Sequence, residues 1–237
     1  MPEFSIGRET IPYEIKVSPR RRTIAIKVGH NGEVVVFAPR FTFKGAIQRF
    51  VEKQAKWISE TRQRILEHVR QHPRHEYAAG ETFLFVGREV LLHVQATGIR
   101  RYRPGSFAEG KLTIKVPHPT HDAIKRVVRL TYEEATLRLV SRFVKKQAKR
   151  LGVRPSSIKI SGARGRWGSC LRGRLRFNWR LAMAPRGVIE YLAVHELCHI
   201  KVHGHSRHFW VAVGGLMPGY REWRKWLRDN GSRLMAY

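Results

Sequence analysis

The five residues His195-Glu196-Leu197-Cys198-His199 place two imidazoles and a carboxylate within little more than one helical turn. In an α-helix, residues four apart lie on one face, so His195 and His199 can each give a ring nitrogen to the same metal ion. Glu196 lies beside that face, where its carboxylate can take a proton from a water molecule at the metal. The spacing therefore predicts the metal-binding helix of a zinc-dependent hydrolase, with Glu196 as its general base.

The residues around this motif favour a helix with one buried face. Pro185 stands before it as a helix-start signal, and Gly204 stands after it as a helix-stop signal. Apolar residues recur between them at helical spacing, at Val188, Ile189, Leu192 and Ala193. We therefore expect a helix that continues through His203, rather than histidines scattered over the surface of a basic, His-rich chain.

A catalytic zinc ion usually has three protein ligands and one open position. Three histidines follow the motif as candidates for the third ligand, namely His203, His205 and His208. His203 would lie about 12 Å along the helix from the first motif histidine, too far to share its metal. A glycine can turn the chain back, and Ser206 can cap a second helix over residues 207–216, which leaves His205 at the turn between two helices. His208 inside the second helix is the alternative, although surface exposure is the expectation for both His203 and His208.

The composition is that of a folded and strongly basic protein. Hydrophobic residues make up 42% of the 237, enough for a packed core in one large domain or two small ones. Lysine and arginine number 46 against 18 aspartates and glutamates, a formal net charge of +28. A field of that sign attracts polyanions, either nucleic acid or phosphate-bearing substrates. The basic residues are spread along the whole chain, so an arginine-rich coding bias is the competing explanation.

Cysteine usage and hydropathy indicate a reducing compartment. Cys170 and Cys198 are the two cysteines, too few for a disulfide framework. Cys198 lies between the motif histidines, and we interpret it as a small buried residue rather than as a ligand. Residues 1–7 have no secretory signal pattern, and no apolar run approaches 18 residues. We therefore expect a cytoplasmic protein with no membrane partner, and the sequence does not define its oligomeric state.

The first half of the chain predicts a β-rich unit with one helix laid across it. Runs of β-branched residues that alternate apolar with polar predict strands at 13–17, 23–28, 33–38, 82–86, 89–94 and 111–116. His30-Asn31-Gly32 predicts a hairpin turn between the second and third strands of a small antiparallel unit. Helical spacing of apolar residues predicts one helix over residues 44–71.

Residues 117–120, Pro-His-Pro-Thr, are the clearest breakpoint in the chain. They divide it into a β-rich region, 1–117, and a second domain, 118–237. The elements predicted for the second domain are a long helix from 121 to about 151, short strands at 158–161 and 174–179, the motif helix and a final helix. The expected fold class is α+β, an N-terminal antiparallel β-rich unit with a helix followed by a C-terminal zincin-like domain of helices and a sheet.

Several separated segments together resemble one known family. They are Arg166-Trp167-Gly168-Ser169-Cys170, Asn178-Trp179-Arg180-Leu181, the motif itself, the stretch His205–Trp210 and Pro218-Gly219-Tyr220. Arg20–Ile26 and Val36–Pro39 near the start are similar as well, whereas residues 83–116 are less recognisable. On these segments the chain resembles the YgjP-like family, bacterial predicted zinc metallopeptidases related to the SprT-like and WLM proteases.

The resemblance implies a zincin-like metallopeptidase with zinc as its cofactor. Position by position, it implies His195, His199 and His205 as the metal ligands and Glu196 as the catalytic base. The implied third ligand agrees with the argument from the turn. The resemblance does not define the substrate.

Four residues of the shared segments have an interpretation of their own. Trp167 and Trp179 are expected to pack in the core. Asn178 and Arg180 are expected to orient metal ligands or to stabilise a developing oxyanion. The strands that carry these residues are expected to flank the metal site, where a substrate chain can pair with a sheet edge.

Three functions are consistent with these features. The first is a zinc-dependent peptidase that acts on a peptide or protein substrate. The second is a protease directed at nucleic-acid-bound proteins, or a protein that only binds nucleic acid, which the net charge of +28 favours. The third is a metal-dependent nucleotide phosphohydrolase that uses the same site on a phosphate-bearing substrate.

Overall fold

The computed structural model describes residues 2–7, 9–29, 31–71, 75–98, 100–163, 165–235 and 237. Within these ranges it does not describe the side chains of residues 68, 69 and 71. By its internal contacts the chain divides into two units, residues 1–74 and 75–237. The first unit is a sheet with two helices, and the second holds two further sheets and the remaining helices. The predicted α+β class is confirmed.

Four strands form the sheet of the first unit, in the order β1-β2-β4-β3. They are β1 (Glu3–Ile6), β2 (Glu9–Ser18), β3 (Ala25–Val28) and β4 (Val34–Pro39). The outer pairs are antiparallel, whereas β2 and β4 are parallel neighbours. The expectation of an antiparallel unit is therefore wrong for the central pair. The apolar strand β4 takes a central position because Val34, Val36 and Ala38 are buried there.

The predicted hairpin turn between β3 and β4 is confirmed by their antiparallel pairing. Gly32 adopts a φ of +78°, which suits the turn, and His30 lies outside the described residues.

Two helices replace the single helix that was expected over residues 44–71. They are α1 (Lys44–Lys53) and α2 (Ala55–Gln71). The break is at Gln54, whose N–H bonds the carbonyl oxygens of both Phe50 and Val51, as in a tightened helix end. The apolar pattern continues across the break because both helices pack on the same sheet. Their buried contacts are made by Ile47, Val51 and Ile58.

The second unit begins with a sheet of the same design as the first. Its strands β5 (Thr82–Phe85), β6 (Arg88–Ala96), β7 (Ser106–Ala108) and β8 (Lys111–Val116) lie in the order β5-β6-β8-β7. The outer pairs are antiparallel and the central pair is parallel, as in the first unit. The chain thus uses one four-stranded topology twice, a repeat that the residue pattern does not reveal.

The rest of the second unit surrounds the motif. Its elements are α3 (His121–Leu151), β9 (Ser157–Ser161), β10 (Gly168–Leu171), β11 (Arg174–Asn178), a 3₁₀ helix (Trp179–Met183), α4 (Arg186–Cys198), α5 (Arg207–Leu216) and α6 (Tyr220–Met235). The third sheet has the order β10-β11-β9, so β10 has a neighbour on one side alone among the described residues. β10 and β11 are antiparallel, and β11 and β9 are parallel.

The long helix α3 has the bounds that the sequence predicts. The side chain of Thr120 accepts the N–H of Ala123 at its start, and Gly152, with a φ of +67°, ends it. Within the ranges that the structure describes, neither α3 nor any other helix is long and apolar enough to cross a membrane.

The sheet β5–β8 packs on α3, so the domain boundary expected at residue 117 falls inside the second unit. Phe83, Leu112 and Val127 belong to one buried cluster. Tyr132 on α3 donates its hydroxyl to the carbonyl oxygen of Leu84 at 2.6 Å. The structure divides the chain after residue 74 instead, because this sheet and α3 bury each other's apolar faces.

Candidate active site

The motif helix α4 is positioned by its apolar face. Val188, Leu192 and Leu197 are buried in the same cluster as α3. His195 and His199 lie half-buried, in the last turn of α4 and just after it. The core therefore holds the helix while its C-terminal end presents the two imidazoles.

The helix ends earlier than the sequence predicts. α4 stops at Cys198, and the N–H groups of Ile200 and Lys201 bond the carbonyl oxygens three residues before them. Nδ1 of His199 then donates to the carbonyl oxygen of Val202 at 3.1 Å. The expectation that His203 continues the helix is therefore wrong, because the chain has already tightened and turned before that exposed residue.

His205 lies between two helices, where the sequence places it. Gly204 adopts a φ of +75°, the left-handed conformation that lets the chain turn. Ser206 caps α5 by accepting the N–H of Phe209 at 3.4 Å, as predicted. The turn and the cap together bring the His205 ring back to α4.

Three imidazole nitrogens converge at this point. Nε2 of His195 lies 3.3 Å from Nε2 of His199 and 3.1 Å from Nε2 of His205. Nitrogens that share a tetrahedral zinc ion at 2.0–2.1 Å lie about 3.3–3.4 Å apart, so both separations fit a common metal. Among the described residues these three form the single group of His, Cys, Asp or Glu side chains able to hold a metal ion. His208 is exposed on α5 and does not belong to the group.

The outer nitrogens of two rings have partners that leave Nε2 facing the group. For His199 the partner is the Val202 carbonyl oxygen, and for His195 it is the hydroxyl of Tyr191, 3.4 Å from Nδ1. Tyr191 lies one turn earlier on α4. Histidines that bind metals are commonly held in this way, because the second hydrogen bond fixes the tautomer and the ring direction.

Aromatic rings of α5 surround the histidines. Phe209 is fully buried and stacks on His199, with ring centroids 4.4 Å apart and an interplanar angle of 24°. It also meets the rings of His195 and His205 edge-on. Trp210 stacks on His205 at 5.7 Å and 23°. These contacts restrict the rotamers of all three imidazoles.

Burial favours the neutral form of His195 and His199. Desolvation, followed by the neighbouring His199, His205 and Arg224, lowers the pKa of His195 to about 3. Burial also lowers the pKa of His199. Neutral rings offer at neutral pH the lone pairs that a metal cation needs.

Glu196 is buried between α4 and the edge strand β10. Its side chain is 4% exposed, and burial raises its pKa to about 8. A Cβ atom built on Gly168 would lie 2.4 Å from Oε1 of Glu196, so the carboxylate fills the space beside that glycine. A carboxyl group with a raised pKa next to a metal-binding group is typical of a site of proton transfer.

Asn178 and Arg180 have partners within the protein rather than in the histidine group. Asn178 caps the 3₁₀ helix, and its Nδ2 donates to the carbonyl oxygens of Ala163 and Arg166 at 2.7 and 3.3 Å. Nε of the buried Arg180 donates to the main-chain oxygen of Tyr237 at 2.8 Å. This geometry makes Asn178 a support for the loop before β10 and does not support an oxyanion role for Arg180.

The tryptophans and cysteines of the shared segments differ in burial. Trp179 is buried, as expected, whereas Trp167 is half-buried and lines two pockets. Cys198 is fully buried, and burial raises its pKa to about 11, which agrees with its interpretation as a small core residue. Cys170 is half-buried, and both cysteines are free.

Four residues around the histidines and Glu196 are given no role in the sequence analysis, although Gly168 and Phe209 lie in the shared segments. Tyr191 precedes His195 by one helical turn and Phe209 follows the helix cap, so helical spacing would have found both. Gly168 and Arg224 come from other elements of the chain. No local pattern marks these two.

An α+β unit with three converging imidazoles at a helix end and a buried carboxylate beside them has the arrangement of a metal-dependent hydrolase. Comparison with known families agrees with this class. Residues 22–230 match the family described as YgjP-like, metallopeptidase domain, and the chain belongs to that family. No curated protein and no solved structure matches the chain.

Proposed function

We propose that this protein is a zinc-dependent peptidase whose metal is held by His195, His199 and His205. The observation that carries the proposal is the convergence of their three Nε2 atoms beside the buried carboxylate of Glu196. Three imidazole ligands suit zinc and leave a fourth position open. Membership of a metallopeptidase family supports the peptide bond as the target.

Glu196 is the proton carrier of the proposed reaction. When zinc is bound, it supplies polarisation of the substrate carbonyl and activation of water. Glu196 takes a proton from the attacking water on a carboxylate oxygen and delivers it to the nitrogen of the leaving amine. Burial raises the pKa of the Glu196 carboxyl, and a more basic carboxylate is a better acceptor for the proton of the attacking water.

The open edge of β10 is the proposed place for an extended substrate chain. β10 pairs with β11, and no strand lies on its other side among the described residues. Its first residue, Gly168, contacts Glu196. A peptide that adds to this edge as a further strand passes beside the carboxylate.

Location and domain roles belong to the same proposal. Two free cysteines suit the reducing cytoplasm. The proposed ligands and base lie within the expected hydrolase region, 118–237, but the sheet before it shares the core of α3. We therefore assign the hydrolase to the whole second unit, 75–237.

The test compares two carboxamide variants on the same helix. Zinc-loaded wild-type protein is expected to cleave an unfolded protein, with new chain termini identified by mass spectrometry. Glu196→Gln should bind zinc equally and lose about 10²-fold or more of the rate. Glu190→Gln is the matched control and should keep the activity, because Glu190 bonds Gln147 away from the histidines. Full activity in Glu196→Gln would reject the mechanism.

A second candidate function, binding to nucleic acid or to proteins on it, is favoured by one surface of the first unit. After β4, Phe41 and Phe43 are 90% and 84% exposed. Arg40 beside them is exposed. Residues 20–22, three arginines, are exposed as well, and they follow β2, the strand that pairs in parallel with β4. Aromatic rings among arginines suit stacked bases and phosphates.

Anisotropy of a fluorescent single-stranded oligonucleotide tests this candidate. Binding should weaken steeply as salt rises, the sign of counterion release. Replacing Phe41 and Phe43 together by alanine should weaken it about tenfold further, because base stacking is lost. Absence of binding at low salt would leave the charge of +28 as a feature of composition alone.

A further inference from the structure

A pocket of about 400 Å³ opens in the second unit between α4, α6 and the loop before β10. Tyr191 lines it from α4, and Arg224 and Arg228 line it from α6. Arg166 and Trp167 line it from the loop. Its volume lies in the range of pockets that bind small ligands or single side chains.

One residue of this pocket contacts the proposed catalytic centre, and a second precedes a residue that does. The hydroxyl of Tyr191 lies 3.4 Å from Nδ1 of His195. Trp167 directly precedes Gly168, the residue against which the Glu196 carboxylate packs. The pocket therefore borders His195 through Tyr191 and adjoins the start of β10, which contacts Glu196.

Arg224 connects the pocket to the third histidine. Its guanidinium lies 4.3 Å from the ring centroid of Trp210. Trp210 in turn stacks on His205. A cation held over an indole ring is restricted in its rotamers before any ligand arrives. Arg224 is thus a preorganised positive charge at the edge of the site.

The positive charge of the pocket is largely unmatched. Within the described parts of the chain, Arg166 and Arg224 form no ion pair with a carboxylate. Arg228 shares Asp229 with Lys225.

We infer that this pocket binds an anionic group, a carboxylate or a phosphate, on a substrate residue next to the bond that is cleaved. The inference rests on the proposed peptidase function and adds the substrate class, peptides with an acidic or phosphorylated residue. Arg224 and Arg166 bind the anion, because a guanidinium group offers paired N–H donors that match carboxylate and phosphate oxygens. Trp167 forms a wall of the pocket.

The test measures peptide binding at the pocket itself, so that the general charge of the protein does not obscure it. The protein is the zinc-loaded Glu196→Gln variant labelled with ¹⁵N, and the probe signal is the indole N–H of Trp167 in two-dimensional NMR spectra. The ligands are blocked five-residue alanine peptides with a central aspartate, phosphoserine or asparagine. The aspartate and phosphoserine peptides should bind about tenfold more tightly than the asparagine peptide. The ratio between the two anionic peptides distinguishes carboxylate from phosphate.

Three further charge variants separate the pocket from its surroundings. Arg224→Gln and Arg166→Gln should each remove most of the preference for the anionic peptides. Arg221→Gln is the matched control, since Arg221 is exposed on the same helix, does not line the pocket and removes the same charge. Equal binding of all three peptides, no shift of the Trp167 signal, or an equal loss in Arg221→Gln would each overturn the inference.

The same experiment distinguishes failure of the pocket from failure of the peptidase. Cleavage by wild-type protein without any preference for acidic peptides would overturn the inference of an anion site and leave the proposed peptidase function intact. If the Trp167 signal shows tighter binding of the anionic peptides but the protein cleaves no peptide, the anion site would stand and the proposed peptidase function would fail.

Discussion

The carboxylate of Glu196 occupies the space that a side chain at residue 168 would fill. A Cβ atom on Gly168 would lie 2.4 Å from Oε1 and 2.7 Å from Cγ of Glu196, closer than side chains tolerate. The backbone of the edge strand β10 is therefore in direct contact with the proposed general base. A glycine at this position is a condition for a buried carboxylate at residue 196.

Gly168→Ala should destabilise the protein by about 1–3 kcal/mol, because the added methyl group overpacks a buried contact. Urea unfolding of the wild type and the variant measures the change. In a Glu196→Ala background the same substitution should cost little, since the atoms that it meets are gone. Gly165→Ala, in the loop before β10, is the control, because beyond its two chain neighbours no described heavy atom lies within 4 Å of its Cβ position. Equal costs of Gly168→Ala in both backgrounds would contradict the contact.

His205→Ala should lose most of the bound zinc. The ring is the third of the converging nitrogens and is exposed, so its removal affects the metal more than the fold. Elemental mass spectrometry of untagged, dialysed protein gives the stoichiometry, with about one zinc expected in the wild type. His203→Ala and His208→Ala are the controls and should retain the metal. Loss of zinc in His208→Ala but not in His205→Ala would reassign the third ligand.

Ser206→Ala should destabilise the metal-free protein by about 1 kcal/mol, because the first turn of α5 loses the side chain that caps it. It should also weaken zinc binding, since Ser206 directly follows His205 and fixes the turn that presents the ring. Urea unfolding and a competition titration with a zinc chelator measure the two effects. Ser232→Ala, on an exposed position of α6, is expected to change neither. Unchanged zinc affinity in Ser206→Ala would show that the turn holds without the cap.

The metal-free protein should lose stability as the pH rises from about 6.5 to 8. Burial raises the pKa of Glu196 from 4.5 to about 8, so over this window the folded state binds more protons than the unfolded state. The lowered pKa of His195 makes the stability rise with pH, but this rise ends near the ordinary histidine pKa of 6.5. The loss should be at most about 2 kcal/mol. Urea unfolding with a chelator present measures the unfolding free energy against pH, and Glu196→Gln should flatten this profile. Parallel profiles of the wild type and the variant would contradict the assignment of the pH dependence to Glu196.

Local signals predicted the elements that carry the site. The bounds of α3 were predicted from the breakpoint at residues 117–120 and from apolar residues at helical spacing, and in the structure a threonine cap and a glycine define them. Ser206 and Gly204 likewise define the turn that places His205. These predictions succeed because capping and chain reversal depend on the residue itself and on few neighbours.

Features that depend on distant contacts escaped prediction. The parallel pairing of β2 with β4 follows from burial of the most apolar strand, and a hairpin pattern in the sequence cannot show which strands become neighbours. The division after residue 74 arises because the sheet β5–β8 and α3 share one core. The end of α4 at Cys198 also escaped prediction, although it involves a local contact, the bond from His199 to the Val202 carbonyl oxygen.

The candidate site shows the same distinction. His195, Glu196 and His199 are close in sequence, so their spacing alone predicts them as site residues. Arg180 belongs to a shared segment, yet its guanidinium bonds the main-chain oxygen of Tyr237 rather than facing the histidines. Arg224 reaches the site from α6 through Trp210, a route that exists only in the folded chain.

All three proposed ligands lie within residues 195–205 of the chain. A metal ion that joins them closes a very short loop, and the entropy of loop closure grows with loop length. The ion therefore contributes little to holding distant parts of the chain together, unlike the zinc of a domain that unfolds without it. It can leave and return while the sheets and α3 remain folded. Under the proposed zinc-dependent function, the supply of zinc, rather than the folding of the chain, sets the fraction of protein molecules that are active.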